Sequence, residues 1–209
     1  MENRKLVEQI RSRLTEAAPL IQVVLGPRQV GKTTALKTAL ESQGVYRSAD
    51  SPVPLVADAL LEWWELAMRT PKRILAVDEV QKIIGWAEAL KMLWDRHRDG
   101  DAGLKVILAG SSALVLEKGL KETLAGRFEL IRAEHWNYAE ADQVFGMSLS
   151  DYIQYGCYPG SVQFLDDVQR WGTYVRDAIV EPAIGRDLLQ LHPVDSPSLL
   201  RQIFGAAVA

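Results

Sequence analysis

The sequence predicts an α/β fold in which a mostly parallel five-stranded sheet is flanked by helices and followed by a small all-α lid. Apolar runs of strand length alternate with helical patterns up to about residue 145. Two of these runs, in LAVD (75–78) and VILAG (106–110), are apolar up to their last residue, which is typical of central strands in a parallel sheet. After residue 145 the strand patterns stop and the periodicity is helical.

The predicted elements follow from hydrophobic spacing. Leu6, Ile10 and Leu14 recur every four residues and predict a helix before the sheet, at 3–16. Strands are expected at 20–25, 45–49, 73–78, 105–110 and 128–133, and helices at 32–42, 53–69, 86–98 and 112–124. We therefore expect an α/β core over 1–145, a helical lid over 146–197 and one further amphipathic helix over 198–209.

Composition limits the classes of function. The 209 residues are 48% hydrophobic, enough for one sizeable α/β domain with a smaller appendage. A net charge of -3 argues against a strongly basic nucleic-acid-binding surface over the chain as a whole. One cysteine, Cys157, excludes an internal disulfide. No signal peptide or membrane-spanning run is evident, so we expect a soluble cytoplasmic protein without a membrane partner.

The stretch VVLGPRQVGKTTAL (23–36) carries a phosphate-binding pattern between a strand and a helix. Glycines let the loop curl so that its N–H groups face phosphates, and the following helix adds its dipole. Lys32 would reach the β- and γ-phosphates, and Thr33 would contribute a hydroxyl to Mg²⁺. A chance match is the alternative, since the pattern is short. The predicted nucleotide-binding residues are Gly26, Pro27, Arg28, Gln29, Val30, Gly31, Lys32, Thr33 and Thr34.

Two carboxylates end the next strongly apolar strand, in RILAVDEVQK (73–82). A carboxylate at the carboxyl end of a strand beside the phosphate-loop strand lies near the metal, so Asp78 is expected to hold Mg²⁺ through water. Glu79 is expected to orient and deprotonate the attacking water. The alternative is a pair of solvated acids after a strand.

Candidate residues also flank the last two strands. Ser111 and Ser112 end a buried strand, where a hydroxyl would lie beside Glu79 and could bond the γ-phosphate or the water; the alternative is that a serine caps the next helix. Arg127 could reach a γ-phosphate bound by a neighbouring subunit. Alternatively, Arg127 is a surface residue paired with Glu129 or Glu122.

Four motifs, GPRQVGKTT, LAVDEVQK, LAGSS and LAGRFEL, in this order and spacing resemble the AAA+-related P-loop ATPases of bacteria and archaea that carry a C-terminal DUF4143 domain. The resemblance implies ATP and Mg²⁺ as ligands and a P-loop NTPase sheet of order 5-1-4-3-2. It implies Walker A roles for Lys32 and Thr33, Walker B roles for Asp78 and Glu79, a sensor-1 hydroxyl in 111–112, and an arginine-finger role for Arg127.

The same resemblance bears on the rest of the chain. Relatives continue into a winged helix and the DUF4143 domain, so 198–209 would be the first helix of a truncated winged helix, and DNA could be a partner only through the missing part. YGCYPG departs from the family's pattern at Cys157, where relatives have glycine. No sensor-2 arginine is clear, with Arg176 and Arg186 as candidates.

Three functions are consistent with these residues. The first is a Mg²⁺-dependent ATPase that couples nucleotide state to an effector or macromolecular partner, with Arg127 acting in trans in a homo-oligomer. The second is a switch that binds ATP or ADP and turns ATP over rarely. The third is a small-molecule kinase, which is disfavoured because such a kinase needs an arginine-rich lid and 112–127 contains a single arginine.

Overall fold

The computed structural model describes residues 4–16, 20–97, 103–111, 113–188 and 196–208. The chain forms two compact units, Met1–His135 and Trp136–Ala209, which are treated separately below. The sequence placed the end of the α/β region at residue 145, whereas the first compact unit ends at His135.

Seven strands occur among the described residues of the first unit: β1 (Ile21–Leu25), β2 (Val45–Ser48), β3 (Leu55–Val56), β4 (Ile74–Asp78), β5 (Ile83–Ile84), β6 (Lys105–Gly110) and β7 (Phe128–Arg132). Five of them form one sheet in the order β2-β4-β6-β1-β7, and every neighbouring pair is parallel. The prediction of an α/β fold built on a parallel five-stranded sheet is therefore confirmed.

A second sheet was not predicted. It joins β3 to β5 in parallel, with Leu55 opposite Ile83 and Val56 opposite Ile84. The helix expected at 53–69 consequently begins later, at Ala57. The error has a physical reason: the pairing joins segments far apart in the chain, which the local periodicity of either segment does not show.

The helices of the first unit surround the main sheet. They are α1 (Lys5–Thr15), α2 (Lys32–Leu40), α3 (Ala57–Met68), α4 (Trp86–His97) and α5 (Ala113–Thr123). Ile21, Val23 and Leu25 of β1 belong to a core cluster that also contains buried side chains of α3, α4 and α5. On the other side, α1 packs against α2 and β7. All five residues of β1 are buried. Four of them are aliphatic, and each such side chain contributes about 1.5–3 kcal/mol when it is fully buried.

Parallel pairing brings the carboxyl ends of the strands to one edge. Asp78, the last residue of β4, lies opposite Ser48 of β2 and Ala109 of β6. Gly110, which ends β6, lies opposite Leu25 of β1. The loops after these strands therefore share the edge at which ligands bind in open α/β sheets.

The regular elements described in the second unit are helical: α6 (Tyr138–Phe145), α7 (Leu149–Tyr155), a 3₁₀ turn at Val162–Phe164, α8 (Val168–Tyr174), π-helical stretches at Val175–Val180 and Ala183–Leu188, and α9 (Pro197–Val208). A capping box of Asn137 and Glu140 begins α6. Trp136, Ala141, Met147 and Cys157 form the core of this unit. None of the described helices has the length and apolar character that a membrane crossing requires.

Candidate functional site

The loop between β1 and α2 depends on two glycines for different reasons. A β-carbon on Gly26 would lie 2.1 Å from the carbonyl oxygen of Ala133, so the loop begins where only glycine fits. Gly31 caps α2 with φ 88°, in the left-handed region that glycine adopts readily. Gln29 has φ 60° in the same region, which costs a non-glycine residue about 1–2 kcal/mol. The loop is therefore held in a tight, strained curve ending at the N-terminus of a helix.

Lys32 lies inside this curve. Its side chain is 6% exposed, and Nζ donates hydrogen bonds to the carbonyl oxygens of Gly26 at 2.8 Å and Pro27 at 2.6 Å. Burial lowers the pKa of Lys32 to about 8, although Glu79 and Asp78 oppose the shift. A buried ammonium with a lowered pKa is stabilised when an anion binds next to it. The loop therefore presents a cation for which a phosphate is the natural counter-charge.

Thr33 and Asp78 are in direct contact. Thr33 Oγ1 donates to Asp78 Oδ2 at 2.5 Å, and Tyr46 Oη of β2 donates to the same oxygen at 3.1 Å. The other oxygen, Oδ1, accepts from the backbone N–H of Glu79 at 3.1 Å. Mg²⁺ prefers oxygen ligands, and a hydroxyl oxygen and a carboxylate oxygen lie here within hydrogen-bond distance of each other. The residues present therefore fit that ion.

These protein groups supply only part of a magnesium shell. Among the described residues, no group of three or more His, Cys, Asp or Glu side chains is placed to hold a metal. Mg²⁺ keeps several waters and is usually bound through one or two protein groups plus substrate phosphates. The pair of Thr33 and Asp78 therefore suits a metal that arrives with a phosphate chain better than a resident structural ion.

Glu79 lies beside Ser111. Its backbone is left-handed, with φ 54° and ψ 37°, at the start of the 3₁₀ turn Val80–Lys82. Ser111 Oγ donates to Glu79 Oε2 at 3.0 Å, and Gln81 Nε2 donates to the same oxygen at 2.7 Å. The structure therefore brings Ser111, a predicted site residue, to the predicted base. Ser112 lies outside the described residues.

A cavity of about 490 Å³ opens at this edge of the sheet. Its volume is in the range of small-molecule pockets. It is lined by Leu25, Gly26, Pro27, Ser111, Arg132, Ala133, Glu134 and His135. The start of the glycine-bounded loop and the hydroxyl after β6 thus face the same space.

Comparison with known families agrees with this geometry. The sequence profile described as AAA domain matches residues 18–142, which is more than half of the chain. The chain belongs to the AAA domain family. Proteins of this family generally bind nucleotides and act as ATPases, and the matched residues include β1, the phosphate loop, β4 and Ser111. No curated protein shows significant similarity to the chain.

Arg127 lies away from the phosphate loop of its own AAA domain. It precedes β7, and its carbonyl oxygen accepts from Ile21 N at the start of β1, whereas the loop follows the end of β1. Five strand residues span roughly 16 Å, farther than an arginine side chain reaches. Arg127 forms a two-bond ion pair with Asp95 of α4, at 2.7 and 2.9 Å. The alternative of pairing with Glu129 or Glu122 is therefore corrected to Asp95.

The two candidates for a sensor-2 arginine belong to the second unit. Arg176 is exposed and its guanidinium pairs with the neighbouring Asp177 at 2.8 Å. That hydrogen bond raises the pKa of Arg176. The side chain of Arg186 lies outside the part of the chain that the structure describes.

The first unit also contains residues around the site that were not predicted from the sequence. Arg4 is buried, 2% exposed, and donates to the carbonyl oxygens of Val30 at 2.5 Å and Glu134 at 2.9 Å. It therefore braces the phosphate loop against the segment after β7. Tyr46 bonds Asp78, and burial raises the pKa of Tyr46, which keeps its hydroxyl a donor. Neither residue lies in a recognisable motif, so only the fold shows these contacts.

Proposed function

We propose that this AAA domain binds ATP with Mg²⁺ and hydrolyses it, and that nucleotide state controls an effector or macromolecular partner. The observation that carries the proposal is the convergence of three chemistries at one edge of the sheet. Lys32 supplies a buried cation, Thr33 and Asp78 supply metal ligands in mutual contact, and Glu79 supplies a carboxylate beside them.

Binding of the triphosphate would fall to the loop from Gly26 to Thr34. Its backbone N–H groups and the N-terminus of α2 favour phosphate oxygens. Lys32 Nζ would exchange its hydrogen bonds to the Gly26 and Pro27 carbonyls for phosphate oxygens of higher negative charge. Charged Lys32 then gains a counter-ion that it lacks among those carbonyls, which makes binding and lysine protonation mutually reinforcing.

Thr33 and Asp78 would hold the metal, Thr33 directly and Asp78 through water. The hydrogen bond between them places the Thr33 hydroxyl next to a carboxylate oxygen of Asp78, which supports this assignment. Bound Mg²⁺ would neutralise charge on the β- and γ-phosphates. Tyr46, bonded to the same carboxylate, limits the orientations that Asp78 can adopt.

Glu79 would act on the attacking water. One carboxylate oxygen, Oε2, accepts from Ser111, and the backbone N–H of Glu79 is tied to Asp78. A carboxylate fixed next to the metal-binding residue can orient a water toward the γ-phosphate and accept its proton. The main role of Ser111 would then be to hold the carboxylate of Glu79 by its hydrogen bond. Its hydroxyl would also lie close to the γ-phosphate.

The position of Arg127 favours a role for this residue at the site of a neighbouring protomer in a homo-oligomer. Because it lies at the opposite edge of the sheet from its own phosphate loop, it is useful to hydrolysis only at a site on a neighbouring protomer. The same observation favours a second candidate, a nucleotide switch: an isolated protomer that lacks a neighbour's arginine would hold ATP and turn it over slowly.

Equilibrium binding of labelled ATP, with Mg²⁺ and with EDTA, tests the binding half of the proposal. We expect Lys32→Ala to weaken binding by at least about a hundredfold, or about 2.7 kcal/mol. Lys91→Ala, at an exposed position on α4, is the matched control and should bind like wild type. Wild-type affinity in Lys32→Ala, with the fold intact by circular dichroism, would contradict the assignment of the loop.

A further inference from the structure

We propose that Gln81 is a positioning residue that holds the carboxylate of Glu79 in the orientation required for water activation. The proposal rests on the ATPase function proposed above and concerns a residue outside the predicted site. Gln81 lies within the 3₁₀ turn Val80–Lys82, two residues after Glu79.

The first observation is that two donors meet on one oxygen. Gln81 Nε2 lies 2.7 Å and Ser111 Oγ 3.0 Å from Glu79 Oε2. Within the described part of the chain, no hydrogen-bond donor reaches Oε1 of the same carboxylate. One oxygen is therefore anchored from two sides, and the other keeps its lone pairs available to accept a proton from water.

The second observation is that the backbone is strained at Glu79, the residue that accepts this contact. Glu79 is a non-glycine residue at φ 54°, a conformation that costs about 1–2 kcal/mol. The 3₁₀ turn Val80–Lys82 follows Glu79 directly, and Gln81 within it donates its hydrogen bond to the Glu79 side chain. Strain of this kind persists at functional sites when the surrounding contacts determine the geometry.

The third observation is a space reserved for the Gln81 amide. A β-carbon on Gly110 would lie 2.4 Å from Gln81 Oε1 and 3.1 Å from its amide carbon. The amide thus occupies the place where any other residue at position 110 would put its side chain. The glycine in LAGSS therefore makes room for Gln81 beside the catalytic carboxylate.

The fourth observation indicates that Gln81 serves to position Glu79 and not only to fill space in the core. Gln81 Oε1 is buried and has no hydrogen-bond partner within the described part of the chain, a loss that costs about 1–3 kcal/mol. An apolar side chain of similar length would fill the space without that cost. The reverse orientation of the amide would set its oxygen against the carboxylate of Glu79, so the donor must face Oε2. What the amide contributes is its N–H group.

The test compares variants that keep the volume of the side chain. We expect Gln81→Met to lower kcat by about tenfold or more, while the Kd for ATP stays within twofold of wild type. Gln81→Glu has a side chain of the same length, but its charge repels Glu79, so it should lower kcat further than Gln81→Met does.

Two results would overturn the proposal, and they are distinguishable from failure of the proposed function. A Gln81→Met protein with kcat within twofold of wild type, in a chain whose turnover depends on Glu79, overturns the role of Gln81 alone. Equal losses in kcat and in ATP affinity would show that Gln81 only maintains the fold of the site. If wild type and Glu79→Gln turn over ATP at the same rate, the ATPase mechanism fails and the role of Gln81 fails with it.

Discussion

Thr33 Oγ1 lies 2.5 Å from Asp78 Oδ2, although 45 residues separate them in the chain. One residue begins the helix after the phosphate loop, and the other ends β4. Neither strand order nor helix packing requires a hydroxyl and a carboxylate at these two points. The contact therefore supports a shared role, which we propose to be metal binding.

The first prediction concerns that pair. Thr33→Val keeps the shape of the side chain but removes the hydroxyl, so the ratio of ATP affinity with Mg²⁺ to affinity with EDTA should fall by about tenfold, or about 1.4 kcal/mol. Thr33→Ser is the control and should keep the ratio. The measurement is a pair of ATP titrations for each variant. An unchanged ratio in Thr33→Val would show that the Thr33 hydroxyl does not contribute to metal binding.

The second prediction is that Lys32 destabilises the nucleotide-free fold. Its pKa is lowered to about 8 in the folded chain by burial, against about 10.4 for an exposed lysine. Below pH 8 the folded protein bears the full cost of the buried charge. From pH 8 toward 10.5 the unfolded chain holds more protons, so stability rises with pH.

Urea unfolding without nucleotide checks this. At pH 7 we expect Lys32→Met to be more stable than wild type by about 1–3 kcal/mol, and the difference should shrink above pH 8. The same variant should lose ATP binding. If Lys32→Met is instead less stable than wild type at pH 7, the lysine contributes to the fold, and the interpretation of its burial is wrong.

The third prediction concerns Arg127 and its partner. If Arg127 completes a neighbour's site, Arg127→Ala should lower turnover by roughly a thousandfold without weakening ATP binding. Mixing it with Lys32→Ala should restore part of the activity, because one variant keeps an intact phosphate loop and the other an intact arginine. Arg69→Ala, at an exposed position, is the control. No recovery in any mixture would argue against action in trans.

The sequence predicted those parts of the site that local chemistry determines. The strand, the glycine-bounded loop and the first turn of α2 are contiguous, so their geometry follows from neighbouring residues. Asp78 and Glu79 could be located because they end an apolar run, and strands of a parallel sheet end at one edge.

Contacts between distant segments could not be predicted in this way. Arg4 reaches Val30 and Glu134 across 26 and 130 residues, and Tyr46 reaches Asp78 only because β2 and β4 are neighbours in the sheet. The same limit explains the unpredicted pairing of β3 with β5. Gln81 is part of the predicted DEVQK motif, but the sequence does not indicate its role. That role depends on the packing of its amide against Gly110, which is a property of the folded chain.

The measurement that tests the central claim most directly is steady-state phosphate release with MgATP over a range of protein concentrations, for wild type and Glu79→Gln. The account predicts turnover per protomer that rises with concentration in wild type and is absent in Glu79→Gln, although the variant still binds ATP. Tight binding without turnover at any concentration would favour the switch. Wild-type rates of hydrolysis in Glu79→Gln would contradict the proposed mechanism.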